Sequence, residues 1–91
     1  MIASKQGDWM TAKIGEELVM MSVNKGNYLG LSEVGARIWE MLETPMDVAA
    51  LCQRLQAEYD VPPEICRAEV EAFLNKLESH GAVVLASSPA A

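Results

Sequence analysis

Ninety-one residues, 51% hydrophobic and 22% charged, suffice for one core and leave no room for a separate catalytic domain. Seven basic against thirteen acidic residues give a net charge of −6, which repels a phosphate backbone and argues against nucleic acid as a partner. No apolar run approaches the roughly 20 residues of a membrane span, and the start "MIASKQGDWM" lacks a signal peptide's apolar centre, so a cytoplasmic protein with no membrane partner is expected.

In chain order, residues 1–7 are small or polar and are expected to form a flexible end, as is the tail over 86–91, leaving one domain over residues 8–85. "WMTAKI" alternates, "GEE" turns, "LVMMSVN" follows, and Lys25-Gly26 turns again before "NYLGL", a pattern that predicts a three-stranded antiparallel meander. From Ser32 the period becomes helical. Val34, Ile38, Trp39 and Leu42 recur at spacings of three and four behind Ser32 as the cap, and this first helix is expected to end near Glu43. Thr44 is expected to cap a second helix, with Pro45 in its first position, Asp47 returning a capping-box bond, and Val48, Leu51, Cys52 and Leu55 as its buried stripe.

"DVPPE" breaks the chain, because residues before proline leave the helical region and Pro63 is suited to start the next helix. That third helix is expected from Pro63 to His80, with Cys66, Val70, Phe73, Leu74 and Leu77 on its apolar face and Gly81 as the left-handed stop. "AVVL" can add a last short strand. The fold class is therefore α+β, winged helix-turn-helix-like, a three-stranded antiparallel sheet followed by a three-helix bundle.

Little in this chain points to catalysis. Cys52 and Cys66 lack the paired spacing of a zinc or redox motif and read as small core residues of a reduced protein. His80 is the only histidine and sits in the last helical turn, where a partly positive imidazole suits the helix dipole. Glu64, Glu69, Glu71 and Glu78 form a solvated face, and "KGNYLG" has neither the GK[ST] ending nor the GxGxxG spacing of a phosphate loop. Trp39 and Phe73 lie on apolar helical stripes, Tyr59 at the end of the second helix, and Met20 and Met21 on opposite faces of a strand. No cofactor and no metal site are expected.

The functional content is geometric. A meander must end in an edge strand with unpaired N–H and C=O groups, and "NYLGL" carries neither charge nor proline to blunt it. Its free side, at Asn27, Tyr28, Leu29 and Gly30, can receive an extended peptide as an added strand. The third helix supplies a groove wall: Ile65 and Phe73 offer apolar contact, Ala72 leaves room for a ligand side chain, and Glu69 or Lys76 can set register with a charged residue. Its other flank carries Arg67, Glu71 and Glu78. A homodimer through the same edge is a further possibility, and a winged-helix DNA-binding regulator is the alternative function. Against the latter stand only Arg67 and Lys76 as basic residues amid four glutamates on the third helix.

The order "GNYLGLSEVGARIWEML", "TPMDVAALCQRLQAEYDVPPE" and "AEVEAFLNKLESHGAVV" resembles the PqqD-like family from about Asp8 to Leu85. Its members are recognition elements for the precursors of ribosomally made, post-translationally modified peptides. The resemblance implies a non-enzymatic module, a peptide chaperone whose third strand pairs with the precursor's leader in a groove walled by the third helix. Family binding positions fall on the backbone of Asn27, Tyr28 and Leu29 and around Glu69, Ala72, Phe73 and Lys76. The proline–glutamate signature of the quinone-cofactor branch is missing where "GEELVMM" stands. The stand-alone length resembles the leader-binding partner of lasso-peptide pathways, which implies a separate cysteine-protease-like leader peptidase, or another modifying enzyme, as second partner.

Overall fold

In the computed structural model, which describes residues 1–15 and 17–86, the chain runs β1 (Ile2–Lys5), β2 (Trp9–Ile14), β3 (Glu17–Ser22), β4 (Asn27–Leu31), α1 (Glu33–Met41), β5 (Met46–Asp47), α2 (Val48–Glu58), α3 (Pro63–Ser79) and β6 (Val83–Ala86). The mixed α+β class, with a three-stranded antiparallel sheet followed by helices, is the one expected. Strands β2, β3 and β4 form that meander in the order β2-β3-β4. Gly26 closes its second turn at φ 68°, a left-handed backbone that costs glycine nothing, and its N–H donates to the Ser22 carbonyl.

Alternation decides which side of the meander meets the helices. Met20 pairs with Leu29 and Leu18 with Leu31, and Met20, Leu29 and Leu31 are buried. The intervening pairs, Met21 with Tyr28 and Val19 with Gly30, therefore project to the outer face. Ile38, Trp39 and Leu42 from α1, Leu51 and Leu55 from α2, and Val70, Leu74 and Leu77 from α3 complete one core. Cys52 and Cys66 are buried free thiols within it. The Cys66 thiol lies 3.8 Å from the Cys52 carbonyl, and burial, followed by the neighbouring Cys66 thiol, pushes Cys52 above its ordinary value.

Three expectations need correction. Residues 1–7 are not simply a loose end: Ile2–Lys5 form β1, the central strand of a second sheet ordered β5-β1-β6, and Ala3 is fully buried. The Lys5 ammonium sits 4.5 Å over the Trp39 ring and 2.8 Å from Glu43, which ties β1 to α1. The second helix begins at Val48, after Thr44 and Pro45, with Asp47 as its N-cap accepting from the Ala49 N–H at 2.8 Å. Asp47 prevails because Met46 and Asp47 are held extended by pairing with Ala3 and Ile2, so the helix starts only after that bridge. Strand β3 stops at Ser22, where the turn claims Val23 and Asn24.

Elsewhere the sequence and the structure agree closely. Helix α3 begins at Pro63, ends with His80 as its C-cap, and is followed by Gly81 at φ 77°. "AVVL" contributes to β6. The "GEE" turn falls partly on residue 16, and the tail at 87–91 lies outside the described residues. No helix among the described residues is long and apolar enough to cross a membrane.

Candidate functional site

Strand β4 passes into α1 without a loop because the cap residue is itself extended. Ser32 lies at φ −68°, ψ 172°, which continues the strand, while its hydroxyl accepts from the Gly35 N–H at 3.1 Å and starts the helix. The last strand residue and the first helical one are thereby fixed relative to each other. Among the described residues strand β4 pairs with β3 alone, so its other edge is unpaired by them.

Helix α3 packs principally on α2 and β6, and two hollows lie between it and the β4–α1 side of the molecule. One, of about 150 Å³, is bounded by Ser32, Gly35, Tyr59, Val61, Glu69 and Phe73, with a largely apolar floor. The other, about 230 Å³, is bounded by Gly26, Asn27, Tyr28 and His80. The start of β4 thus faces the end of α3, and the end of β4 faces the middle of α3. Strand and helix run in opposite directions along one groove.

The expected site residues divide between these places. Asn27, Tyr28 and Gly30 are exposed on the edge strand, whereas Leu29 is buried beneath it. Tyr28 contributes backbone to the edge, but the residue is 75% exposed and projects to the outer face, beside Met21 and, one strand further, Met10. Glu69 and half-buried Phe73 meet in the apolar hollow. Ile65, Ala72 and Lys76 are exposed on the same helical stripe, spaced at three and four from Glu69 and Phe73, but bound neither hollow.

Several contributors lie outside that expected set. Gly35 lets α1 approach α3, since a side-chain carbon there would stand 3.1 Å from the Phe73 ring. A glycine inside a helical pattern was the available signal. Tyr59 and Val61 close the hollow from the α2–α3 connection. Their position is braced by Arg37, whose Nε and Nη2 donate to Glu58 Oε1 and Oε2 at 2.8 and 2.9 Å, a bidentate pair that holds the Glu58 carboxyl below its ordinary range. His80, expected only to suit a helix end, faces the start of β4.

On the opposite flank of α3, Arg67 and Glu71 pair at 2.5 Å across one exposed turn. Among the described residues, no three His, Cys, Asp or Glu side chains converge as metal ligands. The arrangement is suited to holding an extended chain: an unpaired backbone edge, an apolar hollow beside it, and polar side chains at both ends.

Comparison with known proteins agrees with this geometry. No curated protein sequence matches the chain. Two solved structures do. One, described as TbiB1 in complex with the TbiA(beta) leader peptide, is 26% identical, with a TM-score of 0.80 over 93% of this chain and 99% of that one. The other, a lasso peptide synthetase B1 complexed with the leader peptide, is 20% identical, has a TM-score of 0.79, covers 91% of this chain and 98% of its own, and bears on the fold alone. Residues 17–83 match the family described as coenzyme PQQ synthesis protein D, so the chain belongs to the PqqD family.

Proposed function

We propose that this chain captures the leader segment of a ribosomally made precursor peptide by strand addition to β4, in the groove walled by α3, and presents it to a processing enzyme. The observation that carries the reading is the unpaired edge of Asn27–Leu31 beside the Phe73 hollow. Backbone hydrogen bonds to the edge supply affinity that is indifferent to sequence, and the hollow supplies choice among side chains. The leader-peptide complex of the structurally similar TbiB1 supports the same reading. The chain acts as a binding module in a lasso-peptide type of pathway, and its second partner is a leader peptidase or another modifying enzyme.

The test is amide hydrogen exchange on the full chain with the leader of a precursor peptide encoded beside it. Strand addition slows exchange along Asn27–Leu31. Saturating binding that leaves those amides unchanged would place the peptide elsewhere and overturn the assignment.

A further inference from the structure

The groove is electrically polar along its length. At the start of β4, the Lys25 ammonium lies against Gly81, and His80 bounds the hollow with Asn27 and Tyr28. Lys76 is one turn earlier than His80 on the same helical stripe. None of these three side chains has an ion pair among the described residues, in contrast to Lys5, Arg37 and Arg67. The nearby carboxylate of Asp8 is engaged by the Ser22 hydroxyl at 3.1 Å and the Asn24 N–H at 3.2 Å. At the other end, Glu69 is, among the described residues, the only charged one bounding the apolar hollow, and it has no ion pair with any of them. Beyond Ser32 a shallow hollow adds Glu17 and Glu33 against Lys13.

The lengths of the two walls agree. From Glu69 to His80 a helix advances about 16 Å, and from Asn27 to Ser32 a strand advances about 16 Å. Glu69 to Lys76 is about 10 Å and Glu69 to His80 about 16 Å on the same rise. In an added strand, side chains on the helix side recur every second residue, about 6.6 Å apart, so a separation of four residues spans about 13 Å and reaches from Glu69 into the Lys76–His80 region. The residue midway falls over Phe73 and Ala72.

Resting on the strand-addition reading, we propose that this polarity fixes the charge order of the bound peptide. The groove takes a segment of the form basic–x–apolar–x–acidic, written from its N-terminus, running antiparallel to β4. Antiparallel pairing is the more stable arrangement and continues the meander. The basic residue meets Glu69, the apolar one rests on Phe73, and the acidic one meets Lys76, His80 and Lys25. The excess of negative charge on the chain as a whole disfavours the acidic end elsewhere, so the Lys25–Lys76 corner adds to discrimination.

The experiment uses the immobilised full chain and a display library of twelve-residue peptides, selected at low salt. Peptides with the basic–x–apolar–x–acidic order are expected to be enriched. A synthetic peptide of that order should bind about fivefold more tightly than its charge-exchanged counterpart, and the difference should shrink at high salt. The double variant Glu69→Lys, Lys76→Glu should reverse the preference; its far-ultraviolet circular dichroism and thermal midpoint check that the fold is kept. Enriched peptides that protect β4 amides but show no charge order, or the reverse order, overturn this inference and leave strand addition standing. Peptides that bind without protecting β4, or no enrichment at all, overturn both.

Discussion

The Phe73 ring occupies the space that a side chain on Gly35 would need: its edge carbons stand 3.1 and 3.2 Å from where that carbon would be. Helices α1 and α3 therefore approach closely at this point, beside the hollow that both residues line. Gly35→Ala should force the ring outward into the groove. Overpacking of this kind costs about 1–3 kcal/mol, and alanine returns about 1 kcal/mol of helix propensity. A net loss of about 1 kcal/mol in urea unfolding is expected, together with weaker binding of any peptide that uses the hollow. An unchanged midpoint and unchanged peptide affinity would mean that the ring has another place to go.

The Arg37–Glu58 pair gives stability a pH dependence of definite sign. Glu58 is held below its ordinary value chiefly by the hydrogen bonds from Arg37, and Glu43 is lowered by Lys5 in the same way. The unfolded chain protonates these carboxyls first as pH falls. Their contribution is complete above the ordinary carboxylate range and disappears as pH falls through the lower, folded values. Glu58→Gln should lower the thermal midpoint at neutral pH and have little effect near pH 3, so that the two melting curves converge on acidification. A constant offset at every pH would show that the substitution acts through packing and not through charge.

Much of this architecture was legible because its periods are local. The change from alternation to a three-and-four spacing at Ser32 separates sheet from helices, and the Pro63 and Gly81 signals frame α3 to within a residue. Strands β1 and β5 were not legible. They are four and two residues long, too short for a pattern, and their pairings join positions far apart along the chain, from Ala3 with Met46 to Ile2 with Ala86. The exposure of the Ile65, Ala72 and Lys76 stripe on α3 follows from spacing, but the outward ring of Tyr28 depends on which face of β4 the core claims. That is settled by Leu29 and Leu31 sinking together beneath the sheet. His80 was read from its helix alone, whereas its position depends on the hairpin that folds against it.

Strand β1 supplies the next prediction, because a stretch expected to be dispensable is the middle strand of the second sheet. It pairs with β6 over Ile2–Lys5 and with β5 over Ile2 and Ala3, and the Met1 carbonyl accepts from the Val48 N–H at 2.9 Å. Removing residues 1–5 would strip β5 and β6 of their partner and α2 of that contact. With net values of about 1 kcal/mol per lost hydrogen bond, a loss of at least about 3 kcal/mol is expected in chemical unfolding. A truncated chain as stable as the whole would demote β1 to a surface ornament.

Tyr28 and Phe73 should separate the two sides of the bound strand. Both are aromatic and both border the groove, but Phe73 is half-buried in the hollow on the helix side, while Tyr28 projects outward in a row with Met21 and Met10, which are 43% and 59% exposed. An added strand presents alternate residues to the two sides, so only one set can reach Phe73. Phe73→Ala should weaken leader binding by about 2 kcal/mol or more, the loss typical of an anchor residue. Tyr28→Ala keeps the backbone edge and removes only outer-face contact, so its loss should be about 1 kcal/mol or less. Titrating labelled leader peptide into each variant measures both numbers. Equal large losses would mean that the peptide wraps over the outer face as well, and unchanged affinity in both would remove these residues from the site altogether.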